Sequence, residues 1–537
     1  MRKKWSMLGL ILVLILSLAL SACSNKSAGG KDGDEKAGEK SNAKDTLIYG
    51  RGGDSTSLDP ITTTEGEAFK VTENIYESLL TYGDEDTTVQ PGLAEKWEAS
   101  DDGLTYTFHL REGVKFHDGT DFNAEAVVKN FDRWMNGDAE KFPYYTMFGG
   151  FKKDEGHVIK EIKATDEKTV VFTLKRPQAP FLKNIAMSPF GIASPAAIEK
   201  YGDDLRANPV GTGPFKFVEW KANDRIVLEK NEDFWMEGYP KLKQVIFKTI
   251  PENSARLNAL QTGEIDLMDG LNPSDLSKVE GDKNLQLFKR PSMNVGYVGL
   301  TVTRKPLDNK LVRQALNHAV DKKAIIDSFY GGFAEPAKNP MPPSLEGYDD
   351  SVEEYPYDVE KAKALLKEAG FPNGFEMELW AMPVARPYMP EGMKVAEVLQ
   401  ASFEKIGVKA KIVTYEWATY LEKASKGEAD SFLLGWTGDN GDPDNFIYTL
   451  LDKDSIGGNN YTYFSNPEMH DILIEAQTVT DQAKRNELYK KAQAIVHDEA
   501  PWIPLVHSTP MMAGMSDIAN FIPHPTGTDL FTKVEFK

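Results

Sequence analysis

Two hydrophobic rhythms divide the chain. In the first half, apolar positions recur with a period of two, and residues 46–50 (TLIYG), 106–110 (YTFHL) and 168–174 (KTVVFTL) read as strands. Residues 69–80 instead place Val71, Ile75, Leu79 and Leu80 at helical spacing, so this half predicts a mixed, strand-rich α+β region. The second half changes character. Residues 312–329 form a helical stretch stopped by Gly331 and Gly332, and 358–369 form another, with Asp358 at the N-cap and Gly370 at the stop. Then follow a strand at 375–381, a helix at 393–406, a strand at 408–413, a helix at 418–426 and a strand at 431–435. Such alternation with short connections predicts a parallel α/β sheet.

That prediction has a functional consequence, because open parallel sheets bind ligands at the carboxyl ends of their strands. The chain leaves 375–381 through WAMPVARPY (380–388), which carries Arg386, and leaves 431–435 through GWTGDNGDPDN (435–445), which carries Asp439. A cation and an anion on one rim suit a ligand that bears both charges, such as a short peptide. Taken alone, Arg386 reads as well as a surface arginine beside a proline, and the acidic run as a solvated turn. Calcium fits the run poorly. Counted from Asp439, the invariant glycine and closing glutamate of an EF-hand loop fall on Asp444 and Leu450.

Length and charge bound the rest. The 537 residues suffice for two or three domains, and a net charge of −20 argues against binding nucleic acid or an anionic membrane through the overall field. The eight histidines form no HExxH motif, and no GxSxG elbow occurs. Gly211 and Gly213 lead into Pro214, Phe215 and Lys216 rather than into the Lys-Ser/Thr pair of a phosphate loop. A hydrolase built on some other arrangement is the alternative; the expectation is a binding protein, not an enzyme, with no cofactor and no metal.

The N-terminus reads as an export signal. Arg2, Lys3 and Lys4 precede an apolar stretch, 7–20, too short for a comfortable span, and LSAC at 20–23 resembles the lipobox of bacterial lipoproteins. Cys23 is the only cysteine, so it has no internal disulfide partner, and lipidation is its expected fate; cleavage after Ala22 with an incidental cysteine is the alternative. Residues 24–44 contain no large apolar side chain. The expected arrangement is a signal peptide at 1–22 and a lipid-anchored flexible linker at 23–44.

Several longer runs occur in order: PGLAEKW (91–97), YTFHLREGVKF (106–116), NPVGTGPF (208–215), NVGY (294–297) and VRQAL (312–316), followed by the Arg386 and Asp439 loops. Together they resemble the solute-binding proteins of peptide ABC importers, extracellular solute-binding family 5, and within it the dipeptide- and glutathione-binding members. The likeness runs from Thr46 to the C-terminus. It implies an α/β, two-lobed periplasmic-binding-protein fold, type II of the large peptide-binding class. Residues 45–295 would form lobe I with an extra subdomain, 296–508 the α/β lobe II, and 509–537 a return to lobe I.

The resemblance also implies hinge closure on a peptide, with Asp439 on its ammonium and Arg386 on its carboxylate. Gly435, Trp436, Thr437 and Tyr388 would flank them, and the loop Thr64 to Gly66 would face the cleft from lobe I, although Glu65 has no counterpart in the pattern. Trp436, Tyr388 and Trp380 are candidates to stack on the ligand. Two fixed charges act as a ruler, so peptide length should be read more strictly than side chains. The implied partners are an ABC permease with separate ATPase subunits, and the protein would act as a monomer. Its place would be the outer face of the cytoplasmic membrane in a Gram-positive cell. The same fold could instead serve glutathione, haem or a metal chelate.

Overall fold

Three sheets of four or more strands organise residues 44–537, the part of the chain that the computed structural model describes. The expected leader, Cys23 and the tether up to residue 43 lie outside the described residues. Among the described residues no helix is long and apolar enough to cross a membrane.

The sheet of lobe I has seven strands, in the order Leu285–Lys289, Met511–Met515, Leu267–Met268, Thr46–Arg51, Gln244–Thr249, Arg225–Lys230 and Phe215–Lys221. Thr46–Arg51 pairs in parallel with both neighbours. Its alternation fits this place. Leu47 and Tyr49 are wholly buried, and Tyr49 meets Phe247 and Phe531 edge-on at 5.9 and 5.7 Å. Phe531 and Met511–Met515 both come from the end of the chain, so the C-terminal segment completes this sheet and its core.

The extra subdomain is an antiparallel sheet of Ala94–Ala99, Thr105–Leu110, Thr169–Leu174 and Ile159–Asp166. Its two central strands bury every second residue, as their alternation predicts. Helix Ala124–Met135 packs on that face, capped by the Asn123 side chain, which accepts from the Ala126 N–H. Phe131 meets Phe172 edge-on at 4.9 Å within an aromatic core that includes Phe148, Phe181 and Phe190.

The sheet of lobe II has six strands, ordered Ala334–Pro336, Trp502–Ser508, Asn294–Leu300, Ser431–Thr437, Glu376–Trp380 and Lys409–Val413. Glu376–Trp380 pairs in parallel with Lys409–Val413 and Ser431–Thr437, as the helix–strand alternation predicts. The centre departs from the expectation: Asn294–Leu300 runs antiparallel to both of its neighbours, and the sheet is mixed. Helical crossovers enforce parallel pairing only where they connect neighbouring strands, and Asn294–Leu300 lies outside that alternating stretch.

Two helices also differ. The stretch 312–329 is two helices, Lys310–His318 and Lys322–Phe329, because Asp321 caps the second by accepting from the Ala324 N–H. The stretch 69–80 is a shorter helix, Gly66–Thr72, followed by the strand Leu80–Tyr82. Just past that helix, Asn74 binds the C-terminal segment instead, donating to Asp529 O and accepting from the Phe531 N–H.

Candidate functional site

The two parallel strands that lead to Arg386 and Asp439 run in the same direction toward one edge, but in offset register: Trp380 ends its strand opposite Phe432, and Ser431–Thr437 runs five residues further. Ser431–Thr437 runs two residues beyond its expected end, because Trp436 and Thr437 pair with Val295 and Asn294. Past Trp380 the chain turns back in a small hairpin in which Arg386 and Met389 exchange N–H···O bonds of 3.1 and 2.9 Å. Three contacts pin it. The Tyr330 hydroxyl donates to Tyr388 O at 2.9 Å and the Ser508 hydroxyl to Pro387 O at 2.8 Å. The Tyr388 ring lies on Gly435, where a Cβ would come within 2.2 Å of it. Tyr388 is two residues from Arg386 and Gly435 four from Asp439, so this packing brings the two loops together.

Arg386 is half-buried, its guanidinium 5.0 Å from the centre of the Trp417 ring, and it has no ion-pair partner within 4 Å among the described residues. From lobe I, Glu65 lies within range of its charge. Partial desolvation of the Glu65 carboxyl raises it above its usual range, although the residue as a whole is exposed, against the Thr56 hydroxyl and the Arg386 charge. Thr64, Glu65 and Gly66 are exposed, and they open the helix Gly66–Thr72.

Asp439 is held by one amide and one phenol. Asn445 Nδ2 donates to Asp439 Oδ2 at 3.0 Å, and Asn445 Oδ1 accepts from the Asp439 N–H at 2.9 Å and from Trp436 Nε1 at 3.0 Å. The Tyr144 hydroxyl, from lobe I, donates to Asp439 Oδ1 at 3.1 Å. Burial pushes the Asp439 carboxyl up to about 6, although both donors favour its anion.

The other acids of the run are otherwise engaged, so the solvated-turn reading does not describe them. Asp442 forms a two-pronged pair with Arg485, both bonds 2.7 Å, with side chains 1% and 4% exposed. That charge holds Asp442 below the usual carboxylate range against its burial. Asp444 accepts from Gln477 Nε2 and the Tyr489 hydroxyl, and burial followed by the Asp442 charge raises it to about 7. Asp439 is thus the acid of this run that faces the seam between the lobes.

Trp380 belongs to the core rather than to a stacking surface: it is 1% exposed, its ring packs on Tyr415 and Tyr420, and its Nε1 donates to Glu378. Tyr388 is also buried, at 7%, and supports the hairpin, whereas Trp436 and Thr437 are half-buried. Three residues at the site had no role in the sequence reading. Asn445 stands in the acidic run itself, Trp417 opens the helix Trp417–Ser425, and Tyr144 lies 295 positions from Asp439, a distance that no local pattern signals. Away from the cleft, Asp452, Asp454 and His470 place ligand atoms within 4.8 Å of one another. The Asp452 carboxylate there already accepts from His470 Nδ1 at 3.1 Å and the Asp454 N–H at 2.9 Å.

The family model for bacterial extracellular solute-binding proteins, family 5 Middle, matches residues 88–458. The chain is 42% identical to the dipeptide-binding protein of Escherichia coli K12, covering 92% of this chain and 95% of that one. It is 39% identical to the heme-binding protein A of Haemophilus influenzae, covering 96% of each. Its fold matches the ABC transporter-associated periplasmic binding protein DppA of Helicobacter pylori, solved with the peptide STSA. The TM-score is 0.81 at 37% identity, over 92% of this chain and 98% of that one.

Proposed function

The chain belongs to the bacterial extracellular solute-binding proteins of family 5, and from that membership we propose that it captures short peptides by both termini and delivers them to the permease of an ABC importer. The observation that carries the reading is Asp439, a half-buried carboxylate with two neutral donors and no cation within 4 Å among the described residues. It stands on the sheet edge whose neighbouring loop carries Arg386. A zwitterion entering a closed cleft gives up its hydration, and opposed fixed charges with good hydrogen bonds restore it. The Arg386 guanidinium offers a planar fork matched to a carboxylate, and an ammonium beside Asp439 relieves what burial costs that anion.

In this reading Gly435, Trp436, Thr437 and Tyr388 shape the lobe II wall, and Thr64 and Gly66 contribute from lobe I. Lobe I comprises residues 45–293 and 509–537, and lobe II residues 294–508, two residues earlier than expected because Asn294–Leu300 is a strand of the six-stranded sheet; the placement of Met511–Met515 in the seven-stranded sheet supports the return to lobe I. The protein is a carrier rather than a catalyst, and transport energy comes from a separate ATPase. The lipobox-like run ending at Cys23 supports a lipid anchor on the outer face of a cytoplasmic membrane.

Calorimetric titration of the ligand-stripped protein with a dipeptide, its N-acetylated and C-amidated forms, a tripeptide and glutathione tests the proposal. Tight dipeptide binding weakened by blocking either terminus is expected. Binding indifferent to both blocks would remove the two-ended clamp. Because one relative is named a heme-binding protein, haem is the second ligand to titrate, and haem binding with no response to dipeptides would replace the peptide reading.

A further inference from the structure

The loop after Ser431–Thr437 meets the extra subdomain of lobe I through direct polar contacts. Lys183 Nζ donates to Gly441 O at 2.7 Å, Asn440 Nδ2 to Asn184 Oδ1 at 2.8 Å, and the Ala179 N–H to Gln477 O at 2.7 Å. These three bonds register one lobe on the other and involve no candidate ligand residue. The bond of 3.1 Å from the Tyr144 hydroxyl to Asp439 does involve one.

The position of Tyr144 is set independently of Asp439. It lies in the short turn Pro143–Phe148, in which the Thr146 hydroxyl donates to Pro143 O at 2.6 Å and Met147 O accepts from Gln178 Nε2 at 2.6 Å. Its ring meets the buried Phe69 edge-on at 5.7 Å, and Phe69 belongs to the helix that begins at the Thr64–Gly66 loop. The hydroxyl is therefore aimed at the carboxylate by lobe I packing.

Resting on the reading that Asp439 takes the peptide ammonium, we infer that Tyr144 is the lobe I half of that ammonium site and couples recognition of a free amino terminus to lobe closure. Asn445 belongs to the same lobe as Asp439 and can accompany it through any lobe movement. Tyr144 belongs to the other lobe, and its bond exists only when the lobes meet. Closure replaces water around Asp439 by the Tyr144 hydroxyl; with Asn445 that makes two donors, which leave the anion under-compensated, and a ligand ammonium supplies the rest. The ligand thus gains a contact specific to the closed state, which any ligand-driven closure requires.

The ionisable groups around Asp439 leave this titration distinct. Tyr82 and Tyr144 face it from lobe I, and burial, followed by the Asp439 charge, keeps both phenols protonated far above neutrality. Asp442 is neutralised by Arg485 with help from Lys183, and Asp444 lies behind them on Gln477 and Tyr489. In the closed form, removing the Tyr144 donor therefore raises the pH at which Asp439 protonates.

The test is Tyr144→Phe in the full chain in mild detergent, titrated with a dipeptide and its N-acetylated form between about pH 5 and pH 8. The variant is expected to bind the dipeptide about tenfold more weakly or worse, as for a lost hydrogen bond to a charged acceptor. N-acetyl-dipeptide affinity should be unchanged. Unchanged dipeptide affinity, or an equal loss for both ligands, overturns the inference. A wild type indifferent to N-acetylation overturns the ammonium reading itself, and the inference with it. Small-angle scattering on the wild type needs no substitution: the dipeptide should contract the protein and the N-acetylated form should not, and contraction with both overturns the coupling.

Discussion

Asn445→Ala probes the internal support of the site. Its amide makes three bonds: to the Asp439 carboxylate at 3.0 Å, from the Asp439 N–H at 2.9 Å and from Trp436 Nε1 at 3.0 Å. Two neutral bonds contribute about 1 kcal/mol each, and the one to a carboxylate about 1.5–3 kcal/mol. Their sum is about 3.5–5 kcal/mol, and water reaching the half-buried Trp436 and Asp439 returns part of it. A net loss of about 2–4 kcal/mol corresponds to a fall of roughly 5–10 °C in melting temperature for a domain of this size class. Asp439 also loses the donor that does most to favour its anion, so its carboxyl moves above about 6. Scanning calorimetry with and without dipeptide should then show a lower melt and an affinity reduced at least tenfold, more so at pH 6.5 than at pH 8. A variant that melts within a degree of wild type and binds equally well would show that Asn445 does not support the site.

Other perturbations separate the remaining roles. Because a peptide ammonium pairs with ionised Asp439, whose carboxyl burial pushes up to about 6, protonation competes with the ligand: affinity should be flat above about pH 7 and fall toward tenfold per unit below pH 6. An affinity unchanged down to pH 5 would count against Asp439 as the anion. Arg485→Met strands the buried Asp442 charge and should cost about 3–5 kcal/mol in chemical denaturation, with Asp442→Asn added to it restoring most of that; a neutral single variant would contradict the pairing. Gly435→Ala places a Cβ 2.2 Å from the Tyr388 ring and 2.5 Å from Val295 O, so the Arg386 hairpin must shift. It should destabilise by about 1–3 kcal/mol and weaken dipeptide binding; wild-type affinity would show that the hairpin position does not matter.

How much of this was legible in the sequence follows from the range of each interaction. Strands such as Thr105–Leu110 and Thr169–Leu174 have one face on a core and one in water, and their alternation displays it. Asn294–Leu300 is buried along all seven residues and shows no alternation, so the central antiparallel strand of lobe II had no periodic signal. Arg386 and Asp439 could be assigned to one rim because the parallel direction of their strands follows from local alternation. The environment of Asp439 could not, since it depends on Tyr144 from 295 positions away. Asp442 shows the same gap. Within its run it looks like Asp439, and only Arg485 on the later helix Gln482–Glu499 reveals it as a structural charge. Trp380 ends a strand beside the site, yet its ring turns inward to Tyr415 and Tyr420, a direction that spacing does not specify.

In the proposed clamp, Asp439 receives the amino terminus of a peptide. Titrating a dipeptide and its N-acetylated form into wild type and Asp439→Asn measures it as a coupling. Acetylation should weaken binding to wild type by at least a hundredfold, within the roughly 3–5 kcal/mol expected for unpairing a buried charge, and should have little effect on the variant. An equal acetylation penalty in both proteins would contradict the account, because the ammonium would then be recognised elsewhere.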